Sequence, residues 1–161
     1  FLYAGLMMTS EGPKVLEFNV RLGDPETQAL LHRIDSGFLE ALEFAAGGPQ
    51  VRLAWKSDPS VCVVLAAQGY PEAPVVGDAI SGFAEAEASG AVVFHAGTKR
   101  STDGKIVTSG GRVLGVTASG TTLRTAMDSA YRAVDQLSFR GMQFRRDIGE
   151  KGLVRWQPSH K

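Results

Sequence analysis

The 161-residue sequence predicts an α+β chain in two parts: antiparallel strands with helices over residues 1–48, then a small, mostly antiparallel β domain with one packing helix over residues 49–161. Three observations carry that expectation. Two apolar, alternating runs flank the turn residues Ser10-Glu11-Gly12-Pro13. Gly47-Gly48-Pro49 then ends a helical stretch, because glycine permits a left-handed cap and proline forbids continuation. Beyond it the texture changes to short β-runs followed by one amphipathic helix.

The first run, Phe1 to Met8, has no initiator Met, no charged leader and no cleavage pattern, so it reads as a strand entered from upstream and the chain as a fragment. Lys14 to Arg21 alternates and completes a hairpin. Successive strand side chains point to opposite faces, which places Val15, Glu17, Asn19 and Arg21 on one side and Leu16, Phe18 and Val20 on the other. The second set is the expected core face. Gly23-Asp24-Pro25 opens a helix with Asp24 as N-cap, Pro25 at N1 and Glu26 in the first turn, running through Gln28, Leu30, Leu31 and Ile34. A second helix is expected over Phe38 to Ala46. The later β-runs are Val61–Ala67, Ala91–His95, Lys105–Thr108 and Arg112–Thr117, with turns at Gly69-Tyr70-Pro71, Asp103-Gly104 and Gly110-Gly111. After Ser119-Gly120-Thr121, a helix presents Leu123, Met127, Ala130, Val134 and Leu137 on one face and Arg124, Asp128 and Arg132 at i,i+4 spacing opposite. The stretch from Phe144 to Lys161 is of mixed charge and is expected to fray near its end.

Composition excludes several classes of function. With 17 Lys+Arg against 17 Asp+Glu, the formal net charge is zero, so the chain lacks the basic excess that binds phosphate backbones, and no nucleic-acid partner is expected. No apolar run approaches the ~20 residues of a spanning helix, so no membrane partner is expected either. Cys62 is the single cysteine, which excludes an internal disulfide and suits a reducing, cytoplasmic setting.

Glu17-Phe18-Asn19-Val20-Arg21 carries the strongest chemical argument. A carboxylate and an amide oxygen two residues apart on one strand face can both reach a hard cation. Arg21, one step further, can hold a phosphate or carboxylate with its planar fork. The competing reading is an ordinary solvated sheet face. Asp24 and Glu26 have an equally plain alternative as cap and first-turn acid, although their crowding beside Arg21 and Gly23 weakens it. His32 reads as a surface or interface residue, His95 as a strand-end residue bonding a backbone group, and Cys62 as an inert core thiol without a basic neighbour. The glycines Gly97, Gly110-Gly111 and Gly115 match no nucleotide-binding pattern, and hairpin turns explain them more simply.

Glu-Phe-Asn-Val-Arg-Leu-Gly-Asp-Pro-Glu-Thr-Gln at Glu17–Gln28 resembles the signature of the glycinamide ribonucleotide synthetase family, whose members are phosphoribosylamine–glycine ligases. The resemblance continues in order through Gly69-Tyr70-Pro71, Phe94-His95-Ala96-Gly97-Thr98, Thr108 to Thr117, Ala130-Tyr131 and Arg145-Arg146-Asp147-Ile148-Gly149. It implies an ATP-grasp enzyme of purine synthesis that joins glycine to 5-phosphoribosylamine through a glycyl phosphate. It also implies that residues 1–48 end the ATP-grasp domain and 49–161 form the family's C-terminal domain. Within the family, the strand Glu and Asn are the Mg²⁺ or Mn²⁺ ligands, which fall on Glu17 and Asn19, and the following turn borders the substrates, making Arg21 and Asp24 the expected substrate contacts. The family's N-terminal domain and nucleotide-binding lysines lie before this segment, so the chain is expected to be inactive alone, with the missing N-terminal part of the same enzyme as its partner. Related ATP-grasp enzymes place an acid on the preceding strand where this chain has Tyr3 and Ala4, so Glu17 is expected to use both oxygens. The alternatives are another ATP-grasp ligase or carboxylase, which shares Glu-x-Asn-x-Arg, and a non-catalytic β module used for assembly.

Overall fold

The computed structural model describes residues 1–155. It opens on an antiparallel hairpin of β1 (Tyr3–Thr9) and β2 (Gly12–Asn19). Tyr3 lies opposite Asn19 and Gly5 opposite Glu17, but Leu6 then faces Val15, so Leu16 is an extra residue on β2. Such a bulge interrupts the alternation. Glu17 and Asn19 keep a common face, Val15 falls out of step with them, and Arg21 lies past the strand end in a bend. The expected core face is uncovered among the described residues: Leu16, Phe18 and Val20 are 64%, 62% and 90% exposed.

The helix α1 (Glu26–Arg33) starts where the sequence places it, but Asp24 does not cap it. Pro25 occupies the N-cap position with no side-chain cap bond; the first turn is held instead by the Gly23 carbonyl, which accepts from the backbone N–H and the side-chain hydroxyl of Thr27. Ile34, expected inside this helix, begins β3 (Ile34–Ser36). After α2 (Phe38–Ala45), whose N-cap is Gly37, β3 pairs antiparallel with β4 (Ala54–Trp55). That small ladder joins residues on either side of the Gly47-Gly48-Pro49 break.

The second half is built on an antiparallel sheet of order β5-β9-β6. Its elements are β5 (Ser60–Ala66), α3 (Phe83–Ala88), β6 (Val92–His95), β7 (Thr98–Arg100), β8 (Ile106–Thr108), β9 (Arg112–Ser119), α4 (Leu123–Val134) and α5 (Glu150–Arg155). Val63 pairs with Val116 and Leu65 with Leu114 along the β5–β9 ladder. Thr122 caps α4 in a reciprocal capping box with Thr125. Helix α4 buries Ala126, Met127, Ala130, Ala133 and Val134 against Val61, Val63, Leu65 and Val116. The polar face of that helix is exposed as expected, but Arg132 donates to Ser129 rather than pairing with Asp128. Gly110-Gly111 is not a hairpin turn, since β8 pairs with β7 while β9 pairs with β5 and β6. What demands glycine at Gly111 is a close approach: a Cβ there would stand 2.4 Å from the Tyr70 ring.

Helix α1 packs on the opposite face of the sheet from α4, the face carrying Cys62 and Val64. No helix of the described residues is long and apolar enough to cross a membrane. The fraying expected near Lys161 lies outside the described residues.

Candidate functional site

The turn after β2 folds back on the hairpin because Gly23 lets it. A Cβ at that position would stand 2.4 Å from a Glu26 carboxylate oxygen and 2.9 Å from the Tyr3 ring. With only hydrogen there, Tyr3 reaches Glu26 and its phenol donates to Oε1 at 3.3 Å. The Glu26 carboxylate is in turn the main reason the Tyr3 pKa lies above its ordinary value, so the phenol keeps its proton.

The result is a small polar cavity of about 70 Å³ lined by Tyr3, Glu17, Asn19, Arg21, Gly23, Asp24 and Glu26. All four residues singled out from sequence therefore meet at one place, two from the strand and two from the bend beyond it. Arg21 donates to the Leu22 carbonyl at 2.9 Å, and its remaining donors stay available. Glu17 and Asn19 offer a carboxylate and an amide oxygen, the hard donor types that suit Mg²⁺ or Mn²⁺. Among the described residues, no three His, Cys, Asp or Glu side chains group closely enough to hold an ion. The pair thus fits a divalent cation as a partial set, the arrangement in which other ligands are water and substrate phosphates.

Asp24 has a different partner from the one its sequence position suggests. Arg112, at the start of β9, approaches its carboxylate at 3.1 Å and donates from Nη1 to its backbone carbonyl at 3.1 Å. One guanidinium therefore holds both the side chain and the main chain of the turn. Sequence reasoning missed Arg112 because it sits 88 residues away, in what reads as an ordinary strand.

On the far side of this ion pair lies a second, larger cavity of about 600 Å³. Its floor is the sheet face around Val64 and Ala66, and Pro25, Tyr70, Arg112, Phe144 and Arg145 contribute to its walls. The segment that closes it is tied down at two points. Gln143 and Ala66 exchange backbone hydrogen bonds at 2.7 and 2.9 Å, and the Tyr131 hydroxyl donates to the Arg145 carbonyl at 2.9 Å while accepting from the Ile148 N–H at 3.1 Å.

The remaining candidates lie outside the polar cavity. His95 Nδ1 meets the Thr98 side-chain oxygen at 3.0 Å, not a backbone group, and its ring stacks on Phe83 with centroids 5.0 Å apart. His32 is half-buried, with Nε2 3.3 Å from the Ser119 hydroxyl; burial and then nearby Lys56 hold its pKa below the ordinary value. Cys62 is buried and burial raises its thiol pKa, as expected for an unreactive thiol, but it also lines the larger cavity.

Comparison with known proteins relates both halves of the chain to one family. A family described as "Phosphoribosylglycinamide synthetase, C domain" matches residues 60–151, and "Phosphoribosylglycinamide synthetase, ATP-grasp (A) domain" matches residues 1–27. Among curated relatives, the phosphoribosylamine–glycine ligase of Synechocystis sp. is 52% identical over 159 residues, covering 94% of this chain and 37% of that protein. The one of Caulobacter vibrioides is 47% identical over 155 residues, covering 94% of this chain and 36% of that protein. The crystal structure of phosphoribosylamine–glycine ligase from Thermotoga maritima superposes with a TM-score of 0.78 at 41% identity, over 91% of this chain and 36% of that one. The chain spans little more than a third of the length of these relatives.

Proposed function

The chain belongs to the phosphoribosylglycinamide synthetase family, and we propose that it works as part of a longer ATP-grasp ligase that joins glycine to 5-phosphoribosylamine. In this reading the ATP γ-phosphoryl group passes to the glycine carboxylate, releasing ADP. The amine nitrogen then attacks the glycyl phosphate carbonyl, phosphate leaves, and the nitrogen loses a proton to give glycinamide ribonucleotide. Residues 1–48 end the ATP-grasp domain and residues 49–161 form the C-terminal domain. The setting is the cytoplasm, where purine synthesis takes place.

The observation that carries the proposal is the convergence of Glu17, Asn19, Arg21 and Asp24 on one small polar cavity. Glu17 and Asn19 are the residues that would hold Mg²⁺ or Mn²⁺. When bound, the ion neutralises charge on the transferring phosphoryl group. Arg21 supplies a planar cationic fork to the glycine carboxylate or its phosphorylated form. The Asp24 carboxylate, oriented by Arg112, is placed to meet the ammonium of glycine or the incoming amine.

The test is turnover by the intact protein that contains this chain. ADP release should require both glycine and phosphoribosylamine, and bicarbonate should not replace glycine; release with bicarbonate but not glycine would make it a carboxylase. The 161 residues alone should show no turnover, because phosphoryl transfer needs ATP held in line with its acceptor.

A further inference from the structure

Two side chains that line the polar cavity, Tyr3 and Glu26, have no role in the chemistry derived so far. At about 70 Å³ the cavity holds a group of roughly five to seven non-hydrogen atoms, allowing ~10–15 Å³ for each water-sized atom. A small amino acid is of that size, whereas a nucleotide is several times larger. Three carboxylates line the space, and two of them are spoken for. In the ligase reading Glu17 serves a cation with Asn19, and Asp24 spends Oδ2 on Arg112 at 3.1 Å. Glu26 gives Oε1 to the Tyr3 phenol at 3.3 Å, while its Oε2, lying against Gly23, has no donor among the described residues. An ammonium group, with three donors and a positive charge, matches a carboxylate oxygen left in that state.

The Tyr3 ring is the bulky carbon wall of the same cavity, and it is held from three sides. One edge packs on Gly23 so closely that a Cβ there would stand 2.9 and 3.0 Å from Cε2 and Cδ2. The other edge faces Gly5, where a Cβ would stand 3.7 Å from Cε1. The phenol oxygen is tied to Glu26. A ring confined between two glycine positions and bonded at its tip has little room to yield. A wall of this kind refuses one added carbon on a ligand, an effect of ~10–200-fold in discrimination.

We propose that Tyr3 and Glu26 set the amino-acid selectivity of this site. Glu26 takes the ammonium of the amino acid on Oε2, and the Tyr3 ring fills the space that a side chain on its α-carbon would need, so glycine enters and alanine does not. The proposal rests on the ligase reading for the place of the amino acid in the reaction.

The test is ADP release by the intact protein with glycine and with L-alanine, together with calorimetric titration of glycine in the presence of Mg²⁺ and ADP. The wild type should favour glycine by ~10²-fold or more in kcat/KM. Tyr3→Ala should raise kcat/KM for L-alanine at least ~5-fold and cut the glycine preference at least ~10-fold, a gain that damage to the fold does not produce. Tyr3→Phe, which keeps the ring, should retain the preference. Glu26→Gln should weaken glycine binding at least ~10-fold and raise KM for glycine while KM for phosphoribosylamine stays the same. If Tyr3→Ala fails to fold, Tyr3→Leu carries the same expectation. Wild-type preference in an active Tyr3→Ala or Tyr3→Leu, or wild-type glycine affinity in Glu26→Gln, overturns the assignment. Glycine binding that depends on Glu26 in a protein without glycine-dependent turnover would keep the assignment of Glu26 and remove the ligase reading. Glycine-dependent turnover with the preference unchanged in Tyr3→Ala would do the reverse.

Discussion

In the β1–β2 hairpin the apolar side chains Leu16, Phe18 and Val20 stand in solvent, whereas in the β5–β9 ladder Val63, Leu65, Val113 and Val116 are at 0% exposure. The strands themselves are much alike, alternating and rich in branched or aromatic residues. The difference lies in the second layer. Helix α4 covers one face of the β5-β9-β6 sheet, while nothing among the described residues covers the apolar face of the hairpin. Of residues 1–60 only Gly23 is buried. Stability is therefore concentrated in the second half and the polar chemistry in the first. The two regions meet where Arg112, at the start of a core strand, grips the Asp24 turn.

The largest effect should come from the core. Leu65→Ala should cost about 2–5 kcal/mol in urea unfolding, because it opens a cavity beneath α4. Phe18→Ala in the hairpin should change stability by about 0.5 kcal/mol or less in the same measurement. Equal losses would break the comparison by showing that the hairpin is covered in solution.

Substitutions in the polar cavity should invert that pattern, with large kinetic effects and little change in melting. In the intact protein, Glu17→Gln keeps the shape of the side chain and removes its charge. It should raise the Mg²⁺ concentration for half-maximal rate by roughly 10², with Asn19→Leu about tenfold because a neutral ligand is lost. Wild-type rates for both variants at limiting Mg²⁺ would remove the metal from this strand face.

Asp24→Asn sharpens the junction between the regions. Its ion pair with Arg112 is about half exposed on both sides, so breaking it should cost under about 1 kcal/mol. A carboxylate that meets substrate ammonium should nevertheless lower kcat/KM by roughly 10² when its charge is removed. Unchanged kinetics toward glycine and phosphoribosylamine would leave Asp24 as a partner of Arg112 alone.

The smallest effect tests how α1 sits on the sheet. The pKa of His32 is lowered in the fold by burial and by Lys56, so the unfolded chain takes up the proton first as pH falls. Stability should be full above about pH 6.5 and decline as pH drops through the window down to the lower folded value. His32→Gln should flatten that segment of the urea midpoint against pH. A slope unchanged by the substitution would place His32 in open solvent, with α1 loosely docked.

Much of this architecture was legible from local pattern. The hairpin, α2, β5, β9 and α4 all carry a period of 2 or 3.6 over enough residues to be read, while the short strands β6 and β8 were read as apolar β-runs set off by the neighbouring turn residues. The elements that were missed have too few residues to show a period: β3, β4 and β7 have three, two and three residues, and α3 and α5 have six each. The bulge at Leu16 was invisible because it is a property of the pairing with β1 rather than of either strand. The site residues Glu17, Asn19, Arg21 and Asp24 were legible because they fall within eight consecutive positions, so chain connectivity alone brings them close.

What the sequence determined by itself, then, is whatever depends on neighbours along the chain: the alternating strands, the amphipathic face of α4, the glycine-proline breaks and the run of polar residues around the first turn. The tertiary structure decided what depends on partners across it. Asp24 looks like a helix cap in sequence because Asp-Pro-Glu has that local chemistry, yet its carboxylate is drawn to Arg112, 88 residues on. The larger cavity is assembled from Pro25, the β5 face, Tyr70, Arg112 and the segment at 143–148. No local period encodes that meeting; it exists because sheet register and the docking of α1 and α4 on opposite faces bring these separate stretches of chain to one place.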